Sequence, residues 1–188
     1  MFPAKEAACY TYADYLEWDE NERHEIIDGE ARMMATPPRI HQKISMTLSA
    51  MLYNYLNGKP CEVYPAPFSV RLFPAKDGSD DTVVEPDITV VCDLSKLDDR
   101  GCNGAPDFII EIISSSTARY DRIVKFNKYR EAGVREYWIV DPEEKIVSAY
   151  LLKNGHYVAV NYDDTAAVPV TVLPGCAIDL KTVFASPA

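Results

Sequence analysis

Glu111 sits inside FIIEII, residues 108–113. A carboxylate in so apolar a run is costly unless it is paired, protonated or bound to a cation. Along a strand, Asp107, Ile109, Glu111 and Ile113 share one face. An edge position, a solvated face or an internal ion pair would accommodate the acid without function; a perturbed acid in a site is the other reading. Asp87 follows Pro86 and opens ITVV, with Glu85 at the same parity. Alone, it reads equally as a turn aspartate after a proline. Two acids on adjacent strands of one sheet can converge. Their oxygens suit hard divalent cations, of which Mg²⁺ takes one or two carboxylates and leaves its other positions to water and phosphate oxygens.

Lys125 falls on the same half of its expected helix as Phe126, Tyr129 and Ala132, at about 100° per residue. Its aliphatic stem could carry the amine inward, towards the preceding strand, or snorkel to solvent. Arg122 shares that arc, so periodicity does not single out Lys125. Glu25, ahead of an Asp28-Gly29 hairpin, is a possible third carboxylate. His41 opens a helix, where a lone histidine is more often a surface or capping residue than a ligand. Ser114, Ser115 and Ser116 read as caps, because no G-x-S-x-G elbow surrounds them. Trp18 and Trp138 read as core. The 12 tyrosines could offer stacking surface, but at strand and helix positions they read mainly as packing.

Two carboxylates, a lysine and a divalent metal fit phosphodiester hydrolysis. The metal would neutralise the phosphate and acidify a water; the carboxylates would hold the metal. The lysine would orient the nucleophile or offset charge at phosphorus.

These side chains need a rigid frame. Thr11 with Asp14 reads as the N-terminal cap of a helix reaching about Glu20. HEIIDGEARMM reads as a hairpin around Asp28-Gly29. Ile40, Ile44, Leu48, Met51, Leu52, Tyr55 and Leu56 recur at helical spacing, with Gly58 as the stop. Residues 61–72 read as an edge or bent strand broken by prolines, 83–91 as a strand, and 93–106 as a polar loop. The 108–113 run reads as a strand buried on both faces. A helix from Ser114–Thr117 to Ala132 stops at Gly133, and EYWIV at 136–140 completes a βαβ crossover. Asn154-Gly155 signals a last hairpin. The spacing therefore predicts an α/β fold: a mixed sheet with helix, three strands, helix, strand (αβββαβ), plus N-terminal and C-terminal β-hairpins. No G-x-G-x-x-G or G-x-x-x-x-G-K-[ST] occurs, which excludes dinucleotide and P-loop chemistry of those types.

With 188 residues, 47% of them hydrophobic, one domain over 1–188 is expected, its core at about 22–175. No apolar run is long enough for a membrane span, and MFPAKEAACYTYADYLEW lacks a signal-peptide pattern. Five cysteines without a C-x-x-C pair argue against a disulfide framework or zinc knuckle, and a reduced cytoplasm is expected. The net charge of −10 argues against binding nucleic acid through the overall field. It is unevenly distributed: residues 13–30 carry −7 and residues 119–135 carry +4. The basic strip could meet a phosphate backbone, although a solvated helix face is the simpler reading.

EPDITVV (85–91) and APDFIIEIISSSTARYDRIVKFNKYREAGVREYWIVDP (105–142) resemble the Uma-two family of restriction-endonuclease-like proteins in the PD-(D/E)XK nuclease superfamily. HEIIDGE (24–30) and the helix beginning at His41-Gln42 also match, so the resemblance covers roughly residues 10–175. It implies Pro86-Asp87 as the first half-motif and Glu111 as the acid of the second. Ile113 stands where that motif has its lysine, and the resemblance assigns that role to Lys125 on the following helix. Glu25 matches a further family acid. The helix at 40–57 has no Asp or Glu where many superfamily members carry one, leaving Glu25 or His41 to serve.

The resulting expectation is a Mg²⁺- or Mn²⁺-dependent endonuclease acting on DNA as a cytoplasmic homodimer, with no membrane partner. Asp87 and Glu111 would bind the metal, Lys125 would assist the nucleophile, and Glu25 would be auxiliary. The alternative is a catalytically inactive scaffold of the same fold used for binding or assembly. An acid–base glycosidase using Asp87 and Glu111 would need a set carboxyl separation beside an open cleft.

Overall fold

The structure, a computed structural model, describes residues 9–19, 22–115 and 117–185. Residues 1–8, on which part of the reading of the N-terminus rests, Glu20 and Ser116 lie outside the described residues. Thr11 and Asp14 form the expected capping box on a one-turn helix, α1 (Tyr12–Tyr15). The hairpin follows as β1 (His24–Ile27) and β2 (Glu30–Met33), turning at Asp28 and Gly29, both with positive φ. A Cβ at Gly29 would stand 2.1 Å from Cys9 Sγ, so only glycine fits there. Helix α2 (Arg39–Leu56) buries His41, Ile44, Leu48, Leu52 and Leu56. Ile40, expected inward, is exposed.

The proline-rich segment 61–72 is two strands rather than one: β3 (Glu62–Pro65) and β4 (Val70–Arg71). Residues 83–91 divide likewise into β5 (Val83–Val84) and β6 (Ile88–Val91). Pro65, Pro67 and Pro86 lack the N–H a ladder needs, and the chain leaves one sheet for another at these points. The expected polar loop contains a 3₁₀ turn (Leu94–Lys96) and the short strands β7 (Leu97–Asp98) and β8 (Gly101–Asn103). After β9 (Phe108–Ile112) comes a π-helix (Tyr120–Lys125) running into α3 (Phe126–Ala132), which ends at left-handed Gly133. Ser114 and Thr117 close the first turn before the helix: the Ser114 carbonyl accepts from Thr117 N and Ala118 N, and Thr117 Oγ1 accepts from Ser114 N. Then follow β10 (Glu136–Asp141), the hairpin β11 (Ile146–Lys153) and β12 (His156–Tyr162), β13 (Ala167–Pro169), β14 (Ala177–Asp179) and α4 (Leu180–Val183).

The principal sheet has the order β12-β11-β10-β9-β6-β3, with β9 and β10 parallel and the other pairs antiparallel. Along the chain α2, β3, β6, β9, α3 and β10 contribute in turn, and the β11–β12 hairpin extends the sheet. A second sheet, β2-β1-β5-β4-β8-β7, gathers the N-terminal hairpin and the diverted ends of the proline-broken segments. Phe108, Ile110 and Ile112 pack with α2 in one apolar cluster; Ile109 and Ile113 pack with Tyr129 and Tyr137 in another. Glu111 has the parity of Ile109 and faces the π-helix and α3. Glu85, Pro86 and Asp87 span the crossing between the sheets, so acids from both meet there. Cys61 and Cys92 form a single disulfide, a pairing not expected from the sequence, while Cys9, Cys102 and Cys176 are free.

Candidate active site at the junction of the two sheets

Asp87 immediately precedes β6. The ladder pairs Ile88 with Ile110, and continuing it by one residue sets Asp87 opposite Glu111, on the same face. The Asp87 carboxylate reaches across: its Oδ2 accepts from Ile112 N at 2.7 Å and contacts His41 Nε2 at 3.0 Å. The histidine read as a surface or capping residue is thus buried, on the first turn of α2, against this acid.

Lys125 does not snorkel. Its side chain is 4% exposed, with Nζ 2.6 Å from Glu25 Oε1, 2.9 Å from Glu111 Oε1 and 3.9 Å from Asp121 Oδ1. Glu25 Oε1 also accepts from Glu85 N at 3.0 Å. Arg122, indistinguishable from Lys125 by periodicity, turns outward to Asp141 at 3.1 Å. The wide i→i+5 turns of the π-helix separate the two, a local winding that a uniform 100° step does not anticipate.

Burial pushes the Glu111 carboxyl well above the usual glutamate range. Lys125 opposes the rise, while Asp121, Asp87 and Glu25 add to it. Burial also raises Asp121, again against Lys125. Burial alone would lower the Lys125 amine, but Glu111, Glu25 and Asp121 together hold it well above the ordinary lysine value. These directions agree physically. Three carboxylates (Glu25, Glu111, Asp121) surround one ammonium and Asp87 lies across the sheet from Glu111, so the lysine stays charged while the excess negative charge favours protons or another cation.

A cavity of about 380 Å³ opens onto Glu25, Asp87, Glu111, Lys125 and His41, with Arg23 and Arg32 in its wall. The hydrogen bonds of Asp87 fall on Oδ2 and those of Glu111 on Oε1. The second oxygen of each acid carries no hydrogen bond among the described residues. By donor type, these two hard oxygens fit a small divalent cation. Among the described residues, no group of three His, Cys, Asp or Glu side chains is set to hold a metal by itself. A cation here would therefore complete its shell with water or substrate oxygens.

Glu25, Asp87, Glu111 and Lys125, the four residues singled out in the sequence, thus line one cavity. Sequence reasoning missed Asp121 and took Tyr129 for packing. Tyr129 donates to Glu111 at 2.6 Å. The steps of four residues from Asp121 to Lys125 to Tyr129 were the available signal. The basic strip is substantially neutralised: besides Arg122 and Lys125, Lys128 pairs with Asp28 and Arg135 with Asp107, each at 2.6 Å.

A family model described as "Putative restriction endonuclease" (Uma2) matches residues 12–181. The chain belongs to the Uma2 family. That match spans Glu25, Asp87, Glu111 and Lys125. A relative in Synechocystis sp. (strain ATCC 27184 / PCC 6803 / Kazusa), the uncharacterized protein slr1290, is 28% identical over 153 residues, covering 79% of this chain and 78% of its own. A second uncharacterized protein there, sll1609, is 29% identical over 136 residues, covering 70% and 74%. The crystal structure of a putative nuclease belonging to DUF820 from Anabaena variabilis ATCC 29413 matches with a TM-score of 0.70 at 21% identity, over 93% of this Uma2 chain and 97% of that one. That likeness is one of fold.

Proposed function

We propose that this chain is a divalent-metal-dependent endonuclease hydrolysing phosphodiester bonds in DNA. The observation that carries the reading is the convergence of Glu25 and Glu111, from two separate strands, within 2.9 Å of the Lys125 amine, beside Asp87 on a shared cavity. Family membership agrees with it. Asp87 and Glu111 would hold Mg²⁺ or Mn²⁺, which would supply charge neutralisation at the phosphate and acidify water. Lys125, kept cationic by its acids, would face the phosphate oxygens or orient the attacking water. Glu25 would fix the amine, and His41 would fix Asp87.

The test is calorimetric titration with Mn²⁺ and nicking of supercoiled plasmid, comparing wild type with Asp87→Ala and Lys125→Ala. Metal binding lost in Asp87→Ala, and nicking lost in both variants, is the expected result. Absence of metal binding in the wild type would end the reading.

A second reading is an inactive scaffold that retains the fold for binding or assembly. The lysine lying between Glu25 and Glu111, and the lack of a three-ligand metal group among the described residues, favour it. Nicking that disappears in Lys125→Ala would exclude this alternative.

A further inference from the structure

Arg32 lies directly across the hairpin from Glu25, so the two share a face. They do not pair: Glu25 turns to Lys125 and to the Glu85 N–H. Arg32 instead lays its guanidinium over the Tyr120 ring, Cζ 4.2 Å from the centroid. Beyond that ring lies a second cavity, of about 340 Å³, lined by Arg32, Arg119, Tyr120, Ile123 and Val124. Arg32 and Tyr120 also line the acid-cluster cavity, so the two spaces adjoin. Neither Arg32 nor Arg119 has a carboxylate within ion-pair distance among the described residues, whereas Arg122, Lys128 and Arg135 all do.

We propose that Arg32 and Arg119, flanking the Tyr120 ring, hold a DNA phosphate next to the one that reaches the acid cluster. This rests on the nuclease reading of that cluster. Stacking on tyrosine fixes the plane of a guanidinium and leaves its N–H edge to fork onto an anion. Phosphate takes that fork bidentately. A strand approaching four carboxylates needs uncommitted cations at the rim, and these two arginines stand where the site cavity continues outward. The acidic protein would then engage DNA through a short local track.

The test is anisotropy of a fluorescein-labelled DNA duplex titrated in EDTA at a series of NaCl concentrations. Arg32→Ala and Arg119→Ala should each weaken binding about tenfold at low salt and lower the salt slope by about one. Arg32→Lys should keep the slope because it keeps the charge. Lys153→Ala, on the distant C-terminal hairpin, should match wild type. Unchanged slopes in both arginine variants, an equal loss in Lys153→Ala, or no DNA binding by the wild type would overturn the proposal. Plasmid nicking, read in parallel, separates the two readings. Slopes altered without nicking in any protein would leave the phosphate site standing and the nuclease reading fallen. Nicking with unaltered slopes would do the reverse.

Discussion

Tyr129 donates its hydroxyl hydrogen to Glu111 Oε1 at 2.6 Å, the same oxygen that takes Lys125 Nζ at 2.9 Å. Both donors thereby hold one oxygen and leave the other for the cavity. Burial, reinforced by Glu111, keeps the phenol well above the ordinary tyrosine value, so it remains a donor. Tyr129→Phe keeps the ring and removes that bond to a buried carboxylate, a loss of about 1–3 kcal/mol. Urea unfolding at neutral pH checks it; unaltered stability would show that the hydroxyl does not support Glu111.

Lys125→Met should cost more. The variant keeps most of the stem but strands Glu25 and Glu111, both buried, without their shared cation. Breaking a buried pair in this way costs about 3–5 kcal/mol. Adding Glu111→Gln to Lys125→Met should recover part of the loss, since one stranded charge is gone. A double-mutant cycle on unfolding free energies reads this coupling, and strict additivity would contradict the geometry.

The mixed α/β character of the fold was legible because its cues are local: FIIEII, the turns at Asp28-Gly29 and Asn154-Gly155, and the helical stripe of α2. Asp87 and Glu111 were legible as candidates because acids on adjacent strands can converge; that they share a face follows from the register, which pairs Ile88 with Ile110. Of the second sheet, only the β1–β2 hairpin was legible. Its other strands β4, β5, β7 and β8 have two or three residues each, too short for a period of two to emerge. They read as the tails of longer strands or as loop. The inward path of Lys125 was not legible from periodicity either, since Arg122 fits the same arc and the π-helical winding that separates them depends on tertiary packing. His41 illustrates the remaining gap: one polar residue at a helix start carries no pattern until Asp87 is placed beside it.

The Cys61–Cys92 bridge joins the segment before β3 to the residue after β6, closing a span with sequence separation 31. Loop entropy for that span puts its contribution to stability at about 3–4 kcal/mol. Cys61→Ala with Cys92→Ala should lose that amount relative to oxidised wild type. Reduction by dithiothreitol should lower the wild-type melting temperature and leave the double variant unchanged. Identical melting of wild type with and without reductant would show that the bridge contributes nothing.

Glu136 is a buried acid outside the candidate site. It is fully buried on β10; Oε1 accepts from Trp138 Nε1 at 2.8 Å and Oε2 from Val172 N at 2.9 Å. Burial raises its carboxyl above the ordinary glutamate value of 4.5, although the donors from Val172, Trp138 and Thr171 resist the rise. Below that value the side chain is protonated in both folded and unfolded chains, and its full contribution to stability is present. As pH rises, the unfolded chain releases the proton first, so this contribution falls through the interval up to the folded value and then levels off. Glu136→Leu removes the titration and orphans all three donors, each at about 1–3 kcal/mol. The variant should therefore be less stable than wild type, with the largest deficit near pH 4.5 and a smaller one at neutral pH. Urea unfolding of both proteins across that range measures the difference. A deficit that grows with pH would mean that the ionised carboxylate, with its three donors, is the form the fold prefers.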